Sequence, residues 1–280
     1  MARSTGSGDK RTLADFSGPL ILVGAGKMGS AMLQGWLALG IDPAKIVVLE
    51  PQPTRELMRL TGRGLRLNPE NRAEASVVVV AVKPQVADEA VPALAPWVGP
   101  SSAVVSIMAG RTLAGLERAL PRAALVRAMP NLPAAVGRGV TVAVANIRVS
   151  GRQRDLADKL LGAVGAVEWV DDESLLDAVT AVSGSGPAYV FLLAETLAQA
   201  GAAAGLPADL AARLARATVC GAGALLEDSA LDAAALRENV TSPGGTTAAA
   251  LEVLMGTPGL QPLLERAVIA ATRRSRELAR

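Results

Sequence analysis

"PLILVGAGKMGSAMLQGWLALG", residues 19–40, decides how the chain folds. Its opening "PLILVG" is an unbroken apolar run between turn-forming residues, too short for a helix and suited to a strand covered on both faces. Gly24, Gly26 and Gly29 follow in G-x-G-x-x-G spacing with Ala25, Lys27 and Met28 between them, and a helical pattern runs on through "SAMLQGWLALG". Strand, glycine turn and helix in that order form the setting in which this spacing binds a dinucleotide. Gly24 is expected to make the tight turn, Gly26 to let the backbone approach a pyrophosphate, and Gly29 to bring helix and strand together. The phosphates would then rest on amides at the start of the helix.

Outward from this stretch, apolar runs and helical patterns alternate. "KIVVLE", "SVVVVAVKP", "SAVVSIMAG" and "AALVRAMPN" read as strands, with helices through 30–40, 54–61, 86–95 and 112–119, and "GVTVAVAN" and "AVEWVDD" as further edge strands. Because the runs are continuous rather than alternating, the expected fold is α/β: an N-terminal Rossmann domain with a doubly wound, mostly parallel sheet over 18–172. Ligands of such sheets lie at the carboxyl ends of the strands, which singles out Lys83 and Pro84, Ala109 and Gly110, and Met129, Pro130 and Asn131. Glu50 ends the second strand, where an acid accepts from the ribose hydroxyls of NADH. A carboxylate there repels the extra phosphate of NADPH, but Arg55 stands close enough in sequence to offset it, so both coenzymes stay open.

Beyond residue 172 strand signals cease, and small residues, leucine and arginine dominate. Residues 173–280 are therefore expected to form an all-helical domain whose all-round apolar helices meet a second copy. Residues 1–17 lack an apolar leader and read as a flexible tail, with the cytoplasm as the default location. Of 280 residues half are apolar, enough for a sizeable core, and 28 basic residues nearly balance 26 acidic ones. With 3 Trp, 1 Tyr and 2 Phe there are few platforms for stacked bases, so no nucleic-acid partner is expected. The most apolar stretch, 188–204, contains Glu195 and Gln199, so no membrane partner is expected either. Cys220, in "ATVCGAG", reads as a packed and inert thiol. The chain has no histidine, which removes histidine-activated nucleophiles and the commonest zinc ligand, and no metal site is expected.

The second informative stretch is "LRENVTSPGGTTAAALEVL", residues 236–254. Ser242 can cap a helix with Pro243 at its first position, while Gly244 and Gly245 leave the backbone uncovered. Several free amides would then converge ahead of Thr246 and Thr247, a nest for a small carboxylate. "SGSGPAY", residues 183–189, offers Ser183 and Ser185, but without a histidine base a serine nucleophile is a poor fit.

"VGAGKMGSAM", "AVKPQ", "VSIMAG", "RAMPNLPAAVGRG", "AVSGSGPAYVFLLAETLAQAGAAAGLP" and "VTSPGGTTAAAL" together resemble the pyrroline-5-carboxylate reductases in order and spacing, from about residue 20 to the C-terminus. The resemblance implies reduction of the cyclic imine 1-pyrroline-5-carboxylate to L-proline with NADPH or NADH, and a helical domain that interlocks into dimers which can build decamers. It also implies residue roles. Gly24, Gly26, Met28 and Gly29, with Ala25 and Lys27 between them, would hold the pyrophosphate, and Asn68 would approach the adenosine. Ala81, Val82, Lys83 and Pro84 would line the nicotinamide half with Ala109 beyond, and Asn239 would reach the coenzyme from the helical domain. Ser242, Gly244, Gly245 and Thr246 would take the substrate carboxylate, and Thr247 the ring nitrogen, with Lys83 in an electrostatic or positional role. Two positions depart from the family pattern: Leu132 stands where a threonine is usual, and Glu50 where NADPH-preferring members carry a small hydroxyl. A 3-hydroxyacid or 6-phosphogluconate type of dehydrogenase, or a non-catalytic NAD(P)-binding regulator, are the other functions such a sequence could serve.

Overall fold

The apolar runs become strands in a computed structural model that describes residues 12–278: β1 (Leu20–Val23), β2 (Ile46–Leu49), β3 (Arg66–Leu67), β4 (Val77–Val80), β5 (Ala103–Ser106), β6 (Ala124–Met129), β7 (Gly139–Ala145) and β8 (Gly165–Trp169). They form one sheet in the order β3-β2-β1-β4-β5-β6-β7-β8. Every neighbouring pair is parallel except β6 with β7. Leaving β1 the chain builds outward through β2 and β3, then returns to β4 on the other side of β1. That reversal is a topological switch point, and doubly wound sheets take their ligands at such a point, here the carboxyl ends of β1 and β4.

Strand residues alternate between two cores. Leu20, Leu22, Val77 and Val79 pack under Met32, Leu33 and Trp36 of α1 (Lys27–Ala38), Leu57 and Leu60 of α2 (Arg55–Thr61), and Leu160 and Leu161 of α5 (Gly151–Leu161). Ile21, Val78, Val80 and Val104 face the other way, onto Ala87 of α3 (Ala87–Ala90), Leu94, Trp97, and Leu116 of α4 (Leu113–Ala119). With both faces covered, β1, β4 and β5 are buried throughout. The one polar tip on α1 that enters this core is satisfied, Trp36 Nε1 donating to the Leu160 carbonyl at 2.8 Å.

Several expectations need correction. The helix at 86–95 is only one turn, α3, between 3-10 turns at Pro84–Val86 and Pro92–Trp97, because Pro92 and Pro96 withdraw amide donors and block a continuous α-ladder. The flexible tail over 1–17 does not hold for residues 12–17: Leu13 and Phe16 are buried, the Leu13 amide donates to the Leu39 carbonyl at 2.8 Å, and Lys45 Nζ to the Phe16 carbonyl at 2.6 Å. Residues 1–11 lie outside the described residues. Cys220 is exposed in the single chain rather than packed.

The remaining helices are α6 (Leu176–Val179), α7 (Gly186–Ala203), α8 (Ala208–Asp228), α9 (Ala233–Asn239), α10 (Thr246–Met255) and α11 (Leu260–Leu278), with a π-helical turn at Thr180–Gly184. The chain divides into two compact units, Ser185–Thr272 and the remainder, so the division falls a dozen residues beyond the expected 172/173. Leu176 is the reason, since it is fully buried in the core of the sheet. Asp177 adds to this by accepting from Ser275 Oγ at 2.7 Å, with Arg276 3.7 Å away.

Within the helical unit α7 and α8 pair closely: a side-chain carbon at Gly201 would come 3.3 Å from Ala211 Cβ, and Gly205, at φ 101°, turns the chain between them. Only Ala211 and Ala215 are buried there, while Val190, Phe191, Leu192, Leu193 and Leu197 of α7 stand exposed in the single chain. The helical stretch Glu173–Ala203, with a mean hydropathy of 1.3, is long and apolar enough to cross a membrane by length and composition alone, a test that the packed helices of water-soluble proteins also pass.

Candidate active site

The glycine turn follows β1 as expected, and its three glycines differ in what requires them. Gly24 has φ 89°, its amide donates to the Leu49 carbonyl at 2.8 Å, and a side-chain carbon there would lie 2.8 Å from the Ala81 carbonyl oxygen and 3.0 Å from Val82 Cγ1. At Gly29 a side-chain carbon would overlap the Gly24 carbonyl oxygen, so only glycine lets α1 start this close to the turn. A side-chain carbon at Gly26 would meet nothing within 4 Å, so no intramolecular packing explains this glycine. Gly26 is also the N-cap of α1, with no side-chain cap and no acid in the first turn, so the helix presents free amides and the positive end of its dipole. An uncapped helix start beside open space fits a diphosphate. Ser30, which the sequence reading passed over, stiffens the turn through a 2.7 Å bond from its Oγ to the Ala25 carbonyl. Lys27 is exposed at the head of the helix, and Met28 packs partly against the core.

Glu50, Asn68 and Ala25 come together although 18 and 25 residues separate them from Glu50. Glu50 Oε2 accepts from the Ala25 amide at 2.8 Å and Oε1 from the Gln52 amide at 3.0 Å. Asn68 grips the backbone of Glu50 twice, accepting from its amide and donating to its carbonyl, each at 2.8 Å. Asn68 has φ 45°, a left-handed conformation that asparagine tolerates better than most residues. A lone asparagine after a weak two-residue strand is a faint sequence signal for such a clamp, because the clamp exists only once β3 lies beside β2.

A third cluster gathers the loops after β4 and β5. Ala81 donates its amide to the Val23 carbonyl at 2.7 Å, and it and Val82 pack against Gly24. Lys83 is exposed, and Pro84 begins the next turn. Ala109 is exposed beside Gly110, whose φ is 72°. Arg111, absent from the sequence-derived set, ties the two loops. Its Nε and Nη2 donate to the Pro84 carbonyl at 3.1 and 2.6 Å, and Nη1 lies 2.6 Å from Asp88 Oδ1. The hydrogen bond from Arg111 and then its charge hold the Asp88 carboxyl below the ordinary aspartate range. Asn131 accepts from the Val140 amide at 3.0 Å and fixes the loop after β6. Ser183 is no exposed nucleophile: its Oγ is enclosed and has no hydrogen-bond partner.

Asn239 and residues 242–247 lie in the helical unit, Asn239 as the last residue of α9. The expected helix cap at Ser242 and Pro243 is not formed. Instead Ser242–Gly245 is a β-turn with Pro243 second and Gly244, at φ 68°, third, closed by the Gly245 amide donating to the Ser242 carbonyl at 3.0 Å. Proline followed by a glycine of positive φ dictates a type II turn and delays the helix. Gly245 is the N-cap of α10, again without a side-chain cap or an acid in the first turn, so the first amides of the helix stay free until Ala249 donates to the Gly245 carbonyl. Thr247 is half-buried in that first turn, and Ser242 and Gly244 are exposed.

Two family models match this chain: one described as "Pyrroline-5-carboxylate reductase dimerisation" over residues 173–278, and one described as "NADP oxidoreductase coenzyme F420-dependent" over residues 20–110. The chain is similar to the pyrroline-5-carboxylate reductase of Pseudomonas aeruginosa, at 42% identity covering 93% of this chain and 96% of that one. It is similar to that of Synechocystis, at 41% over 92% and 97%. Among solved structures, a pyrroline-5-carboxylate reductase from Coxiella burnetii superposes with a TM-score of 0.87 at 35% identity, covering 94% of this chain and 99% of that one. The Plasmodium falciparum pyrroline carboxylate reductase, solved with NADP bound, superposes with a TM-score of 0.78 at 27% identity over 94% and 98%. Since the likeness takes in the glycine turn, the loops that follow the strands and the bare-amide turn ahead of α10, and runs nearly the whole length of both chains, this chain belongs to the pyrroline-5-carboxylate reductase family.

Proposed function

We infer that this chain reduces 1-pyrroline-5-carboxylate to L-proline with NADPH or NADH, the last step of proline biosynthesis. The observation that carries the reading is the turn at Ser242–Gly245, which leaves the first amides of α10 free for a small carboxylate in a chain whose glycine turn suits a dinucleotide. The bound reduced nicotinamide supplies a hydride to the imine carbon. The chain's own residues have to orient and bind. Ser242, Gly244, Gly245 and Thr246 take the carboxylate, and the Thr247 hydroxyl directs the ring nitrogen. Gly24, Ala25, Gly26, Lys27, Met28 and Gly29 hold the diphosphate, and Glu50 and Asn68 the adenosine end. Ala81, Val82, Lys83, Pro84 and Ala109 line the nicotinamide end, and Asn239 reaches the coenzyme from the helical unit. Because a cyclic imine can arrive already protonated, no enzymic acid is required in the reduction, which accords with a chain that lacks histidine. Holding the reactants in line supplies most of the rate.

The apolar helices at 173–280 dimerise, and the exposed Val190, Phe191, Leu192, Leu193 and Leu197 of α7 are buried between copies and not in lipid. Dimers assemble further, towards a decamer, in the cytoplasm and without nucleic acid. The test is oxidation of NADH or NADPH, followed by absorbance, on adding 1-pyrroline-5-carboxylate, with proline identified as product. Turnover of 3-hydroxyacids with oxidised coenzyme instead, or coenzyme binding without turnover, would overturn the reading.

A further inference from the structure

We infer that Glu50 is the coenzyme-specificity residue of this chain and that it selects NADH over NADPH. The inference deepens the reading above, resting on its premise that a nicotinamide dinucleotide occupies the glycine turn. Glu50 follows directly on β2, whose last residue pairs with Val23 of β1, so its side chain starts beside the turn. Both carboxylate oxygens are anchored to main chain, Oε2 on the Ala25 amide inside the turn and Oε1 on the Gln52 amide. The backbone that carries them is held by the two bonds from Asn68. Swinging the carboxylate away would break two hydrogen bonds to a charged acceptor, the stronger class of such bonds.

Two consequences follow from an acceptor fixed in that place. Each oxygen keeps a lone pair beyond the one its amide uses, and a ribose with free 2′ and 3′ hydroxyls offers donors to both. A 2′-phosphate offers no donor and adds negative charge against a carboxylate that cannot retreat. Arg55 is the residue the sequence puts forward as a counter-charge, but among the described residues no ion pair joins it to Glu50. The carboxylate at the tip of β2 is therefore held by main-chain amides and not neutralised by an ion pair among the described residues.

Calorimetry with ADP-ribose and with 2′-phospho-ADP-ribose tests this without any turnover. The wild-type chain is expected to bind ADP-ribose at least about tenfold more tightly, the scale of one charge contact at a partly exposed site, and the gap should narrow as salt rises. In Glu50→Ser the preference should disappear or invert. Glu50→Gln, which keeps an acceptor and leaves the Asn68 clamp on the backbone untouched, should reduce it. In kcat/KM the wild type should favour NADH over NADPH by a similar factor. Equal or tighter wild-type binding of the 2′-phospho ligand, or a ratio that Glu50→Ser leaves unchanged, would overturn the inference. Absence of imine reduction alongside a clear preference for ADP-ribose would sink the proposed reaction and leave the role of Glu50 standing.

Discussion

Alanine at Gly26 and alanine at Gly29 should have opposite effects. At Gly26 a methyl group meets nothing and φ is −66°, so Gly26→Ala should unfold within about 0.5 kcal/mol of wild type yet bind coenzyme at least tenfold more weakly, as thermal melts and titration would show. At Gly29 the methyl overlaps the Gly24 carbonyl, and the clash should cost about 2 kcal/mol of stability before any ligand is added. Thr247 calls for a different measurement. Loss of its hydroxyl in Thr247→Ala should lower kcat/KM for the imine about tenfold or more with coenzyme affinity unchanged, and Thr247→Ser should recover most of it. The glycine spacing can be read in one line of sequence. That Gly26 alone of the three is free of packing constraints appears only when the atoms around each are known.

Loops meet at the scale of elements, and Arg111 is the residue that joins two of them. Arg111→Ala should free the turn at Pro84 and raise KM for coenzyme several-fold with little change in melting temperature, because Asp88 is largely open to solvent and an ion pair with so exposed a partner contributes little. The pH dependence of this clamp has a definite sign. The folded-state carboxyl of Asp88 lies below the ordinary aspartate range, so its bond to Arg111 is fully present above that range and lost as pH falls through and beneath it. Coenzyme KM should thus rise on the acid side only, and the rise should be absent in Asp88→Asn. Arg127 on β6 makes a more buried pair, its Nη1 2.7 Å from Glu173 Oε1, which also accepts from the Leu113 amide. Removing it in Arg127→Ala should cost about 2 kcal/mol, below the range for fully buried pairs because Glu173 keeps some solvent, and a urea melt would read it. Neither clamp is legible in sequence, since an arginine after a strand and a glutamate 46 residues beyond another carry no pattern that links them.

For the whole molecule, the helical unit presents more large apolar side chains than a lone chain can keep in water. Phe191 is 60% exposed and Leu192 57% exposed in the single chain, on a helix inside the segment that matches the family's dimerisation model. Phe191→Glu should therefore lower the sedimenting mass toward a monomer and cost activity, whereas the same change at an exposed position of the first unit, such as Met58→Glu, should do neither.

Much of this protein was set by sequence alone. Unbroken apolar runs specify strands covered on both faces, three glycines specify the turn after the first strand, and small residues on long helices specify close packing, because each of these is local and periodic. The order of the sheet's outer strands, the grip of Asn68 on Glu50, the arginine clamps, the type II turn at 242–245 and the burial of Leu13 and Phe16 were decided by tertiary structure. Each needs partners that lie far apart in the chain, or a choice between two turns that the same residues allow, and only closure of the fold brings those partners within hydrogen-bonding distance.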